Sequence, residues 1–179
     1  YVDRALDAWG LAARDEMAYL RKEYVAHIDA VLRQREEEGS LIRVTVEGVA
    51  KTAYWVRPAD LERIDAGKAL DRTLRIVSPF DPFLIHRKRM RRLFGFDFAI
   101  ECYLPTAKRT FGYFALPLLQ GTDFVGLLDA KADRSAGRLI VQNLRYDGPA
   151  KRRAPFDRSL NKALDAFARF NGVAPPSAV

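Results

Sequence analysis

Two connections in the second half of the chain are long enough only for a turn. Gln120-Gly121-Thr122-Asp123 and Asp133-Arg134-Ser135-Ala136-Gly137 cannot hold the roughly dozen residues that a crossover connection needs, so the strands they join must run antiparallel. Runs rich in β-branched and aromatic residues at 73–77, 96–104, 111–119, 124–130 and 138–146 supply five candidate strands, each bounded by Gly, Pro or Asp. Twisted antiparallel strands tend to curl, which predicts a small barrel-like module. Helical spacing predicts one helix over 83–94 and another over 159–170, where Leu160, Leu164, Phe167 and Phe170 share a face. Residues 147–155 read as a polar loop and 174–179 as a frayed tail.

The first part of the chain has a different period. Leu6 and Trp9 lie three apart ahead of Gly10, predicting a helix over 2–9 with glycine as its left-handed stop. Met17 and Leu20 predict a second helix over 13–20, and Val25, Ile28, Val31 and Leu32 a third over 22–38, ended by Gly39-Ser40. Ile42, Val44 and Val46 then alternate with Arg43, Thr45 and Glu47, Glu47-Gly48 turns, and 52–56 returns as an aromatic strand stopped by Pro58. Three short helices followed by a hairpin form the winged-helix pattern. The expected fold class is therefore α+β: a winged helix-turn-helix domain at 1–66, then a small antiparallel β-barrel-like domain with flanking helices at 67–179.

Charge separates the same two halves. Residues 1–66 carry 10 Lys/Arg against 13 Asp/Glu, a net of −3, whereas residues 67–179 carry 20 against 10, a net of +10. The second half is the expected polyanion binder. No run approaches the roughly 18 apolar residues of a membrane span, and no export signal opens the chain, which predicts a soluble cytoplasmic protein. The first residue is Tyr rather than Met, so the reading is of a fragment. One cysteine and two separated histidines predict neither a disulfide nor a metal site, and no cofactor is expected.

The densest charge is Arg87, Lys88, Arg89, Arg91 and Arg92, five cations in six positions of a predicted helix. Such a run repels itself unless something anionic compensates it: phosphate groups, or pairing within the molecule to Asp81, Asp97 and Glu101. Lys108, Arg109 and Tyr113 in one turn region, Lys131 and Arg134 in another, and Arg43 and Lys51 on the wing are further candidate DNA contacts. Lys151-Arg152-Arg153 reads as a weakly binding basic loop. The third helix mixes cations with Glu23, Asp29 and Glu36-Glu37-Glu38, so it is expected to pack or to shape a cleft rather than to read a groove. Chemistry is sparse: there is no Ser-His-Asp order and no glycine-rich phosphate loop, and Cys102 is expected in the core. Asp81, Glu101, Asp129 and Asp133 are expected to hold structure, and no catalytic residue is assigned.

Ser78-Pro79-Phe80-Asp81-Pro82, Leu93-Phe94-Gly95-Phe96, Glu101, Pro105-x-Ala107-Lys108-Arg109, Gly112-Tyr113, Leu116-Pro117 and Val125-Gly126 through Lys131-x-Asp133-Arg134 closely resemble the C-terminal region of the AlkZ/YcaQ-like winged-helix DNA glycosylases. The resemblance implies tandem winged helices with a β-barrel-like module, a double-stranded DNA partner, and metal-free hydrolysis of an N-glycosidic bond that removes alkylated bases or unhooks interstrand crosslinks. The family's Gln-x-Gln or Gln-x-Asp segment is absent; Gln34-Arg35-Glu36 is the nearest string. Ile85 and His86 stand where the family has Trp and Asp, and Leu127 where an Arg is common. In the turn, Ser78, Pro79, Phe80 and Asp81 are expected to be structural, with Phe80 in the core and Asp81 capping and aiming the basic helix. The chain is then the DNA-binding part of a monomeric, nucleoid-associated bacterial glycosylase whose N-terminal winged-helix region is missing. A stand-alone winged-helix regulator and a protein-interaction module remain as alternatives.

Overall fold

The computed structural model describes residues 1–49, 52–66 and 69–176. In chain order the elements are α1 (Val2–Trp9), β1 (Leu11–Ala13), α2 (Arg14–Met17), α3 (Val25–Glu37), β2 (Ile42–Thr45), β3 (Ala53–Val56), α4 (Pro58–Asp65), β4 (Leu74–Ile76), α5 (Pro82–Ile85), α6 (Arg87–Phe94), β5 (Ala115–Gln120), β6 (Asp123–Asp133), β7 (Arg138–Tyr146) and α7 (Arg153–Phe170). They form two compact units: Tyr1–Ala69 with Ile85–Gly95, and Leu70–Leu84 with Phe96–Val179. The basic helix α6 thus belongs to the first unit, although the sequence placed it with the second domain. Its transfer evens out the charge, to a net of +3 on the first unit and +4 on the second.

In the first unit, Val2, Leu6, Ala12, Met17, Ile28, Leu32 and Leu41 pack into one buried cluster under the helices. Gly10 ends α1 at φ 72°, its N–H donating to the Leu6 carbonyl at 2.8 Å. A three-stranded antiparallel sheet runs in the order β1-β3-β2, with Leu11 and Ile42 both opposite Val56. The expected helix over 13–20 is one turn long: Ala13 at its start pairs with Tyr54 on β3, and Leu20 at its end takes a left-handed φ of 57°. The helix expected over 22–38 opens with a 3-10 turn at Lys22–Tyr24. Pro58 does not end the chain's order: it takes the first turn of α4, where its missing N–H costs nothing.

The second unit is a half-barrel, a four-stranded antiparallel sheet in the order β4-β5-β6-β7 packed against α7. Leu74, Leu118, Leu128 and Leu139 on the sheet meet Phe156, Leu160, Leu164 and Ala168 on the helix, all buried. Phe170 falls off that stripe and is exposed. Each buried leucine contributes on the order of 1.5–3 kcal/mol relative to exposure. Gly126 is required on β6, since a Cβ there would lie 2.0 Å from the Arg145 carbonyl oxygen. Beyond α7 the chain returns to the sheet edge. The Leu139 N–H donates to the Ala174 carbonyl at 2.8 Å and the Ala174 N–H to the Gly137 carbonyl at 2.8 Å, a short parallel bridge beside β7.

Three expectations fail here. Residues 96–104 are not a strand, so the fifth strand that would have closed a barrel is absent; Phe96 stacks on Phe124 at 3.8 Å and on Phe98 at 5.8 Å, and packing replaces the ladder. The helix predicted over 83–94 is two helices, α5 and α6, broken at His86 with ψ 77°. The supposed basic loop at 151–153 is a 3-10 turn leading into α7, which begins at Arg153.

Candidate nucleic-acid interface

In the first unit the basic helix is built around a buried carboxylate. Glu16, on α2, is 1% exposed, and its Oε2 accepts from Arg89 Nη1 at 2.5 Å and from the Ala13 N–H at 3.0 Å. Its Oε1 accepts from Arg92 Nη2 at 2.9 Å, and Asp15 Oδ1 accepts from the same nitrogen at 3.0 Å. Arg89 is itself 3% exposed and lies over the Trp9 ring at 5.2 Å. Arg89 and Arg92, both expected to touch phosphate, are therefore compensated inside the unit, by carboxylates other than the three the sequence suggested.

His86, rather than Asp81, caps this helix. Its Nδ1 accepts the Arg89 N–H at 3.3 Å, and its ring packs at a tilt against Tyr19 at 4.3 Å and meets Trp9 edge-on at 6.0 Å. Burial pushes the His86 pKa down, outweighing the nearby charges of Glu16 and Asp15, so the ring is neutral and free to accept at Nδ1. Asp81 caps α5 instead, accepting the Phe83 N–H at 2.8 Å. In the same turn Ser78 Oγ accepts the Phe80 N–H at 3.2 Å. Pro79 and Pro82 flank this turn in the sequence, and Phe80 is exposed, touching Phe114 edge-to-face at 6.4 Å, rather than filling the core.

The outward face of α6 carries Arg87, Lys88 and Arg91, spaced so that burying Arg89 and Met90 leaves them in solvent. Arg87 and Lys88, with Arg14, Lys22, Tyr19, Leu20, Val25 and His86, line a cleft of about 410 Å3. Arg14 is paired with Asp29 at 3.1 Å. Lys22, Arg87 and Lys88 make no ion pair among the described residues. On β2, Arg43 is exposed with its guanidinium 5.8 Å from the Trp55 ring centre. Lys51 lies outside the described residues.

The second unit presents its cations on two separately braced turns. Glu101 organises the first: its carboxylate accepts the N–H groups of Thr110, Phe111 and Gly112 at 2.9 to 3.2 Å, and the Thr110 hydroxyl. The Thr110 hydroxyl first, then the Phe111 N–H and the other amides, hold its pKa down at about 2. Asn143 Nδ2 donates to the Phe111 carbonyl at 3.1 Å, tying the turn to β7. Lys108 is exposed at the turn, and the Arg109 guanidinium sits 4.8 Å from the ring centre of Tyr113, itself half exposed. Gly112 packs against Asp129, whose pKa is raised by burial and drawn back by the Tyr113 N–H. In the second turn Asp133 Oδ1 accepts from Ser135 and Ala136 N–H, both at 3.0 Å, leaving Arg134 exposed at the tip and Lys131 exposed on β6.

The cations expected to contact DNA fall in two units, and on α6 Arg89 and Arg92 are spent on Glu16 and Asp15. Sequence reading missed Glu16, whose partner lies 73 residues away. It also missed Leu20, assigned to a helix face but exposed. Cys102, expected in the core, is half-buried.

Comparison with known proteins supplies the class. The AlkZ-like DNA glycosylase family profile matches residues 1–170. The fold is similar to that of Streptomyces sahachiroi DNA glycosylase AlkZ, with a TM-score of 0.54 and 18% identity over 97% of this chain and 43% of that one. This chain therefore spans less than half the length of that protein. It belongs to the AlkZ-like DNA glycosylase family. Among the described residues no helix is long and apolar enough to cross a membrane.

Proposed function

We propose that this chain is the double-stranded-DNA-binding portion of a bacterial glycosylase that excises alkylated bases or unhooks interstrand crosslinks. The first unit serves as a winged helix, β2 and β3 forming the wing, and the second as a braced platform for the loops at 105–113 and 133–137. The reading is carried by family membership over 1–170 together with the exposed cations Lys22, Arg87 and Lys88 on one cleft. None of Gln34, Gln120 and Gln142 opens a Gln-x-Gln or Gln-x-Asp string, and no catalytic residue is assigned to this chain. The protein acts as a cytoplasmic, nucleoid-associated monomer joined to its N-terminal winged-helix region.

Fluorescence anisotropy with a short duplex tests this. The chain binds with affinity that falls steeply as salt rises, and Arg87→Ser with Lys88→Ser reduces the log-log salt slope by about 1.8, or 0.9 per phosphate contact. The same preparation leaves no abasic sites in alkylated DNA. Binding without a salt slope would sink the proposal.

A further inference from the structure

Leu20 is the one non-glycine residue among those described that adopts positive φ, at 57°. The chain turns here directly after α2: the Tyr19 N–H donates to the Glu16 carbonyl at 3.2 Å and the Arg21 N–H to the Ala18 carbonyl at 2.8 Å, with Leu20 at the third position of the second turn. Glycine holds that conformation without steric cost, whereas a leucine pays for its Cβ. Burial does not repay it, because Leu20 is 78% exposed. The turn is nonetheless firmly held. Tyr19 packs at a tilt against His86 at 4.3 Å and donates its hydroxyl to the Ile85 carbonyl at 3.3 Å, and Glu16 behind it is locked to two arginines. Strain at an exposed apolar tip on a rigid base points to a use for that side chain outside the fold.

Charge decides what the tip meets. Arg21 and Lys22 follow it directly and are exposed, and Lys22, Arg87 and Lys88 share its cleft. An apolar point ringed by cations matches duplex DNA, where phosphates surround a stack of apolar faces. An apolar protein surface would leave those cations desolvated and unpaired. We propose that Leu20 is a wedge that enters the base stack of DNA bound on the first unit and unstacks one step. This rests on the DNA-binding reading above and adds deformation to it.

The test uses this chain, a duplex carrying 2-aminopurine, and the variants Leu20→Gly, Leu20→Asn and Arg87→Ser with Lys88→Ser. Wild type raises the 2-aminopurine fluorescence on binding. Leu20→Gly and Leu20→Asn lose that rise and bind roughly ten- to a hundredfold more weakly, the range that burying a leucine corresponds to. Their unfolding midpoints stay at or above the wild-type value, because both residues tolerate left-handed backbone. Arg87→Ser with Lys88→Ser weakens binding but keeps the rise at saturation. Salt-dependent binding with no fluorescence rise, or a rise undiminished in the Leu20 variants, overturns the wedge and leaves the DNA-binding reading standing. A lower midpoint for Leu20→Gly makes Leu20 a folding residue and also overturns it. A wild-type chain that does not bind DNA overturns both.

Discussion

Glu16→Ala should destabilise the first unit by about 3–5 kcal/mol, the cost of leaving a buried guanidinium without its counter-charge. Arg89 has 4% of its side chain exposed and, among the described residues, a single carboxylate partner at 2.5 Å. Arg92 suffers less, since Asp15 remains within reach. The Ala13 N–H would also lose its acceptor where β1 passes into α2. Urea unfolding measures the effect, and a loss under about 1 kcal/mol would mean that the pair is solvated in the native state. Glu16→Met with Arg89→Met offers a sharper check. Replacing both members of a buried pair by apolar residues of similar volume should recover most of the stability that the single change removes. Recovery would show that the pair fixes α6 against α2 without being the net source of stability.

Removing the Glu101 carboxylate should cost about 2–3 kcal/mol and loosen the whole turn from 101 to 113, because three backbone N–H groups and one hydroxyl lose their shared acceptor. Hydrogen exchange at the Thr110, Phe111 and Gly112 amides should accelerate in Glu101→Ala ahead of exchange in β5 to β7. The same carboxylate makes the turn sensitive to acid. Its pKa is lowered from 4.5 to about 2 in the folded chain, so its contribution is complete above about pH 4.5 and fades as pH falls toward 2. Glu101→Gln removes that dependence, and equal stability loss between pH 5 and pH 3 in wild type and variant would refute the assignment. Arg109 and Tyr113 ride on this turn, so under the proposed function DNA binding by the second unit should fall with it.

The parts of the fold legible in the sequence are those whose cause is local. α1, α3 and α7 announce themselves by apolar spacing, and β6 and β7 by a connection too short for anything but a hairpin. β1 is invisible because three residues cannot display an alternation, and it exists only because β3 has a free edge to pair with. The stretch at 96–104 has the aromatic content of a strand, yet its phenylalanines find better partners in one another and in Phe124. For the candidate interface the outcome is mixed. The basic run was plain, but which of its cations face solvent depended on a carboxylate 73 residues earlier in the chain. Arg89 and Arg92, three apart, turn toward α2, while Arg87, Lys88 and Arg91 share the other side. Nothing in the sequence marks Leu20, since apolar residues at helical spacing usually signal burial and a left-handed leucine leaves no compositional trace.

The short parallel bridge at Ala174 also covers part of a sheet edge. An outermost strand offers its unused amides and carbonyls to any neighbour able to extend the sheet, and β7 is the outermost strand on its side. By filling the positions beside Gly137 and Leu139, the segment after α7 acts as a bookend at the hairpin tip, where Leu139 would otherwise lie next to an open seam. Whatever frees that segment would turn the tip of the hairpin into a nucleus for self-association.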